Sequence, residues 1–132
     1  MISVVATVYN GQTYLSQAID SVLAQSWEDF GHMLGAAAST GHSRESISTY
    51  ARTDSRIRLV FLSKNGGRCE AFNEVVRTAS QERVARLDAD DEWRPEKLAR
   101  QWSFLASHQE VSVVGSYATY IDAHGRELGL DW

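Results

Sequence analysis

The run ISVVATV at Ile2–Val8 decides how the rest of the sequence is interpreted. It is β-branched and mostly apolar, which is typical of a strand buried in a parallel sheet. Asn10 and Gly11 then favour a turn. Apolar residues return at three- and four-residue spacing over residues 15–23, which predicts a helix with one buried face. The chain therefore begins with a strand followed by a helix.

The same alternation continues along the chain. Its pattern predicts further strands at residues 30–35, 57–62, 83–87 and 111–114, the last extending toward Ile121, with helical stripes between the earlier ones. Ser43 is expected to cap the second helix, and Pro95 to be the first residue of the fourth. Strands that alternate with helices in this way are joined by right-handed crossovers. We predict an α/β, Rossmann-like fold with a mostly parallel sheet and helices on both faces.

Length and composition bound the remaining possibilities. The chain has 132 residues, of which 43% are hydrophobic, with one proline and a single cysteine, Cys69. We expect one domain over residues 1–132 that is neither disordered nor built on disulfides. The net charge of −4 argues against a nucleic-acid-binding protein. No apolar run approaches the ~20 residues that cross a bilayer, and no signal peptide is evident, so we expect a cytoplasmic protein.

Three acids, Asp88, Asp90 and Asp91, directly follow the fourth predicted strand. In an open α/β sheet, ligands bind beyond the carboxyl ends of the strands, where the strand order reverses. Asp88 and Asp90 point the same way in an extended segment, so they can converge on one hard cation, Mg²⁺ or Mn²⁺. The alternative is that the acids stabilise the N-terminus of the following helix, a role we expect for Asp91 and Glu92.

Four blocks of sequence point to a family. They are SVVATVYN at Ser3–Asn10, NGG at Asn65–Gly67 with Ala71 and Asn73, LDADD at Leu87–Asp91 with the segment from Pro95 to Gln101, and VSVVG at Val111–Gly115 with Tyr120–Asp122. In this order and spacing the chain resembles the family 2 glycosyltransferases, and its third block resembles their DxD motif. The resemblance implies a GT-A nucleotide-diphospho-sugar transferase fold. It also implies that residues 1–132 form the N-terminal nucleotide-sugar-binding portion, without the acceptor portion.

Several roles follow from the resemblance, position by position. Val8 and Tyr9 stand where the family holds the base and ribose of the nucleotide. Asp88 matches the acid near the ribose and the metal, and Asp90 matches the acid that ligates a divalent metal on the diphosphate. Mg²⁺ or Mn²⁺ is therefore the implied cofactor, and it would neutralise the charge that develops on the departing nucleoside diphosphate.

Other polar residues are assigned from the sequence alone. Lys64 and Arg68 lie near the glycine loop and are weaker candidates for a positive charge beside the phosphates, because loop cations are usually just solvated. The four histidines lack the paired spacing of metal ligands. We interpret them as surface or partly buried structural residues: His32, His42, His108 and His124.

The chain departs from the family pattern at several positions. The family usually carries two acids after its second strand, and one of them typically reads the base, but this chain has Ala36-Ala37-Ala38 there. Alanine cannot accept a hydrogen bond from a base, so we predict weak or altered nucleotide recognition. Phe72 stands where an arginine is frequent, which removes another polar contact. Asp122 and Asp131 do not match the family's catalytic base, so no catalytic residue is assigned.

These points lead to one expected function and one alternative. The resemblance implies a metal-assisted, inverting glycosyltransferase that moves a sugar from a nucleoside diphosphate donor to a saccharide or lipid-linked acceptor. Its setting would be cell-wall or polysaccharide biosynthesis, at the inner face of a membrane in a full-length parent. This chain would hold the donor-binding part and be inactive or weakly active by itself. The alternative is a catalytically inactive remnant that self-associates through its truncated edge.

Overall fold

The computed structural model of the chain describes residues 1–8, 12–37, 42–62 and 66–131. They divide into two compact units, Met1–Leu98 and Ala99–Trp132. The elements along the chain are β1 (Ile2–Val8), α1 (Gln12–Leu23), β2 (Phe30–Ala37), α2 (His42–Thr53), β3 (Ile57–Leu62), α3 (Gly67–Thr78), β4 (Val84–Asp88), α4 (Lys97–Ser107), β5 (Thr119–Ile121) and β6 (Glu127–Asp131). No described helix is long and apolar enough to span a membrane.

The first unit is built on a four-stranded sheet in the order β3-β2-β1-β4. All three pairings are parallel, which confirms the predicted α/β fold. The chain moves in one direction from β1 through β2 to β3, and α3 then carries it back across the sheet to β4. The strand order therefore reverses between β1 and β4, which is where ligands bind in such sheets.

The two faces of the sheet are filled by alternate residues of its strands. On one face, Val5 of β1 and Met33 of β2 form a core cluster with Val75 of α3. Right-handed crossovers place α1 and α2 on the opposite face. The stripe predicted for the first helix is buried accordingly, at Leu15, Ala18, Ile19 and Val22.

A glycine lets α3 pack closely on the centre of the sheet. Gly35 of β2 faces Val75, and a Cβ atom at residue 35 would overlap Val75 Cγ2 and lie 3.3 Å from Thr7 Cγ2. Both neighbours belong to packed elements, so neither can move aside without cost. The close approach brings α3 over β1 and β2 and places the start of this helix near the carboxyl ends of the strands.

The second unit contains a hairpin where the sequence predicted a fifth strand of the parallel sheet. Residues 111–118 carry no strand, and the side chain of Val113 is 86% exposed. The Val111 amide instead donates to the His108 carbonyl at 3.0 Å in a turn. β5 begins only at Thr119 and pairs antiparallel with β6. The prediction of a strand at residues 111–114 was wrong because an apolar β-branched run forms a strand only where a neighbouring edge accepts its hydrogen bonds.

Two predicted helix starts are also displaced. α2 begins at His42, so Ser43 lies inside the helix instead of capping it. α4 begins at Lys97, and Pro95 lies in the turn before it, where the Lys97 amide donates to the Arg94 carbonyl. The start of α4 is fixed by a side chain that lies two residues beyond α1: the Leu98 amide donates to Gln25 Oε1 at 3.0 Å.

Candidate functional site

The candidate site lies at the carboxyl ends of β1 and β4. Thr7 and Asp88 are direct partners in the parallel register, so the last residue of β4 lies beside the penultimate residue of β1. Val8 follows Thr7, but its side chain is 1% exposed and belongs to the core. Any contact of Val8 with a nucleotide would therefore be made by its backbone. Tyr9, the other predicted base-binding residue, lies outside the described residues, as does Lys64.

Asp88 is held by two guanidinium groups. Arg86, two residues earlier on the same side of β4, donates from Nη2 to Oδ1 at 2.9 Å and to Oδ2 at 3.1 Å, and from Nε to Oδ1 at 3.2 Å. Arg68, in the first turn of α3, brings its Nη2 within 3.6 Å of Asp88 Oδ2. The structure thus brings the weak candidate Arg68 to the predicted acid, with 80% of its own side chain exposed.

The other two acids follow in a tight turn. The Asp91 amide donates to the Asp88 carbonyl at 3.1 Å, which folds the segment back at the strand end. The pKa of Asp91 is raised, chiefly by loss of hydration and then by the negative charges of Asp90 and Asp88, with a smaller opposing effect of Arg86. The negative charges of Asp90 and Asp88 therefore disfavour the ionised form of Asp91, an effect that a bound cation would relieve.

The helix-capping interpretation of Asp91 and Glu92 was wrong. α4 begins at Lys97 and has no acidic residue in its first turn. The effect of a helix dipole is confined to that turn, so acids this far upstream gain nothing from it. The acidic cluster is a feature of the sheet edge.

The side chains available as ligands fit a cation that is shared with a phosphate group better than one held by the protein alone. Across the four described ranges, no three His, Cys, Asp or Glu side chains are grouped so as to hold a metal ion. Asp88 already accepts three hydrogen bonds from Arg86, so Asp90 is the freer carboxylate. Mg²⁺ is commonly bound by one or two carboxylates, with phosphate oxygens and water completing its shell. Asp90, assisted by Asp88, fits that pattern.

The end of β2 borders the same site. Ala36 pairs with Val8 of β1 and with Phe61 of β3, so the alanine run starts beside the end of β1. The sequence has Ala36 and Ala37 at the positions where the family usually carries acids, and Ala38 lies outside the described residues. At Ala36 and Ala37 the chain offers no carboxylate for a base.

Sequence reasoning missed Arg86 and mistook the surroundings of His32. Arg86 could have been found from its spacing, because residues i and i+2 of a strand share a face and so place it beside Asp88.

His32 is 0% exposed, on the central part of β2, rather than partly buried as predicted. Asp122 is engaged in the hairpin turn, where its Oδ1 accepts from the His124 amide at 2.8 Å and the Arg126 amide at 3.0 Å.

Comparison with known proteins identifies the family of the sequence. The model of the family described as "Glycosyl transferase family 2" matches residues 3–128. A Bacillus subtilis (strain 168) glycosyltransferase named provisionally for teichuronic acid biosynthesis, TuaG, is 33% identical over 120 residues, which are 91% of this chain and 46% of that protein. The chain spans about half the length of the curated relatives it matches.

Solved structures share the fold. S. aureus TarS 1-349, in complex with UDP-GlcNAc, superposes with a TM-score of 0.75 at 23% identity, covering 82% of this chain and 32% of that one. The mannosyltransferase PcManGT from Pyrobaculum calidifontis, in complex with GDP-Man and Mn²⁺, gives 0.74 at 24% identity, covering 80% and 32%. These matches confirm a GT-A fold over part of the length of such enzymes.

Proposed function

The chain belongs to glycosyl transferase family 2, and we propose that it forms the donor-binding half of a metal-assisted transferase. The donor would be a nucleoside diphosphate sugar, and the acceptor a saccharide or a lipid-linked sugar in cell-wall or polysaccharide biosynthesis. The observation that carries this proposal is the position of two acids where the strand order reverses: Asp88 is the last residue of β4, and Asp90 lies two residues beyond it. The ligands named for TarS and PcManGT, UDP-GlcNAc and GDP-Man with Mn²⁺, support a donor of this class.

In this proposal each residue at the sheet edge has a separate role. Asp90 would ligate the cation and Asp88 would lie beside the ribose. Arg68 and the N-terminal amides of α3 would face the diphosphate, since a cation and a helix N-terminus both attract anions. Bound Mg²⁺ or Mn²⁺ would supply stabilisation of the negative charge on the leaving diphosphate. The base that activates the acceptor hydroxyl is assigned to no residue of this chain, and inversion at the sugar rests on family membership.

Calorimetric titration tests the donor site. We expect UDP or GDP to bind in the presence of Mn²⁺, and Asp90→Ala to weaken that binding by about tenfold or more, which corresponds to loss of ~1.4 kcal/mol. Asp29→Ala is the matched control, because that exposed carboxylate pairs with the amino group of Met1. Binding that is the same with and without Mn²⁺, or unchanged in Asp90→Ala, would contradict the metal role of Asp90.

The selectivity between UDP and GDP is tested separately, at the alanine run. Without acids at Ala36 and Ala37, we expect UDP and GDP to differ in affinity by less than about tenfold, because no carboxylate there reads the base edge. Replacing Ala36 or Ala37 by aspartate should widen the difference. Tight binding of one nucleotide over the other by the unaltered chain would mean that another group reads the base.

Self-association without catalysis is the second candidate. In the unit of residues 99–132, large apolar side chains are exposed, with Tyr117 at 90% and Leu128 at 54%. Clusters of exposed apolar surface often mark interfaces. Sedimentation velocity distinguishes the candidates: a monomer at concentrations well above the nucleotide Kd would argue against an assembly module.

A further inference from the structure

Arg86 occupies a defined position between β4 and α3. Its Cζ lies 5.7 Å from the centroid of the Phe72 ring, so the guanidinium rests on an aromatic face while its N–H groups bond Asp88. Arg68 and Phe72 are separated by four residues of α3 and therefore lie on the same side of the helix. Arg86 and Asp88 share one side of β4 in the same way. The two pairs face each other across the site.

The contacts give Arg86 a role of its own at the site. We infer that Arg86 is a positioning residue: it rests on the Phe72 ring and holds Asp88 in the orientation that the proposed site needs. The inference rests on the proposed function, in which Arg86 acts through Asp88.

The geometry explains why Asp88 would need such a residue. Asp88 is 38% exposed and lies in the same turn as Asp90 and Asp91, whose like charges repel its own. Two parallel N–H donors fix the plane of a carboxylate as well as its position. Asp88 Oδ1 accepts two hydrogen bonds from Arg86, so this edge of the carboxylate faces the arginine. The lone pairs that remain therefore keep a fixed direction. Asp90 is left as the principal ligand of the cation.

A variant set distinguishes positioning from simple charge. The probe is UDP with Mn²⁺, or GDP with Mn²⁺ if that binds the unaltered chain more tightly. We expect Arg86→Gln and Asp88→Asn each to weaken binding by about tenfold, and the double variant to bind no more than about twofold worse than Asp88→Asn, because the two residues act as one unit. Arg77→Gln is the control, since Arg77 pairs with Glu74 on an exposed part of α3.

Replacing the aromatic ring tests the platform. Phe72→Leu should weaken binding by about twofold to fivefold, because a cation on an exposed aromatic face gains only modestly, and it should cause no further loss in the Arg86→Gln variant. Independent losses from Arg86→Gln and Asp88→Asn, or a loss from Phe72→Leu that persists in Arg86→Gln, would overturn the inference. Thermal unfolding of each variant verifies that it is folded.

A nucleotide-free measurement separates this inference from the proposed function. The Arg86 Nε–H group, which donates to Asp88 Oδ1, should give a resolved, slowly exchanging NMR signal that disappears in Asp88→Asn. If no nucleotide binds the unaltered chain, the donor-site proposal fails, while this signal still decides whether Arg86 holds Asp88. An Arg86 signal indifferent to Asp88→Asn would refute the positioning role.

Discussion

Gln25 and Leu98, 73 residues apart in sequence, are joined by a buried hydrogen bond of 3.0 Å from the Leu98 amide to Gln25 Oε1. The amide nitrogen of the same side chain donates to the Arg94 carbonyl at 2.9 Å and to the Ser21 carbonyl at 3.1 Å. Gln25 is 4% exposed, so these bonds form away from water. This one side chain ties the end of α1 to the segment that follows the acidic cluster.

Replacing Gln25 by alanine should destabilise the fold. The change removes the acceptor of the buried Leu98 amide, and an unsatisfied buried group costs about 1–3 kcal/mol. We expect the free energy of unfolding, measured with urea, to fall by an amount in that range. The control is Gln81→Ala, because the Gln81 side chain lies on the surface and donates to the neighbouring Ser80 hydroxyl. Equal stabilities for the two variants would show that the buried bonds contribute nothing.

Gly35 offers a second stability test. Gly35→Ala places a methyl group against Val75 Cγ2 and Thr7 Cγ2, and overpacking of this kind costs about 1–3 kcal/mol. Gly31→Ala on the same strand is the matched control, since a Cβ there lies 4.0 Å from the Arg56 carbonyl oxygen. Denaturant unfolding should show a loss of stability for Gly35→Ala and none for Gly31→Ala. A loss of similar size in both would point to backbone effects of glycine, not to the contact with Val75.

His32 predicts a dependence of stability on pH. Burial lowers its pKa from 6.5 to about 4, with a smaller raising effect of Asp54 and a smaller lowering effect of Arg56. Between these two values the unfolded chain binds a proton that the folded chain does not, so stability falls as the pH falls from about 6.5 to about 4. The full loss from this residue is about 3 kcal/mol.

The substitution His32→Leu should remove this dependence. Neither ring nitrogen of His32 has a hydrogen-bond partner within the described part of the chain, so at pH 7.5 the variant should be at least as stable as the unaltered protein. Urea unfolding at pH 7.5 and pH 5 measures both effects. The control His124→Gln, at an exposed position, should keep the original change in stability between the two pH values. If the stability of His32→Leu changed with pH as much as that of the unaltered protein, the dependence would have to come from other groups.

Arg68 should contribute to binding of the diphosphate. Its side chain is exposed at the start of α3 and lies 3.6 Å from Asp88, so Arg68→Ala removes a positive charge beside the proposed site. We expect the affinity for UDP or GDP with Mn²⁺ to fall by about three- to tenfold, because exposed charges contribute modestly. Raising the ionic strength should diminish the difference. Arg77→Ala, on the same helix, serves as the control, and an equal effect there would indicate only a change in net charge.

The strands and the acidic edge could be predicted because their signals are local. Ile2–Val8 and Ile57–Leu62 are β-rich runs bounded by turn residues, and the structure has both with the predicted limits. Asp88 and Asp90 follow a strand, and parallel sheets collect such residues at one edge. Interactions between distant residues left no local signal. The bonds of Gln25 and the ring of Phe72 beneath Arg86 depend on which helix crosses which strand.

The pairing of β1 with β4 also governs when the donor site can form. Thr7 and Asp88 meet only after three crossovers have been completed, so the site depends on the most distant strand contact of the sheet. Contacts between residues far apart in sequence close long loops and slow folding. The acidic edge is therefore expected to acquire its geometry late in folding. Opening of the β1–β4 pair would take apart the proposed donor site while the pairing of β1, β2 and β3 remained intact.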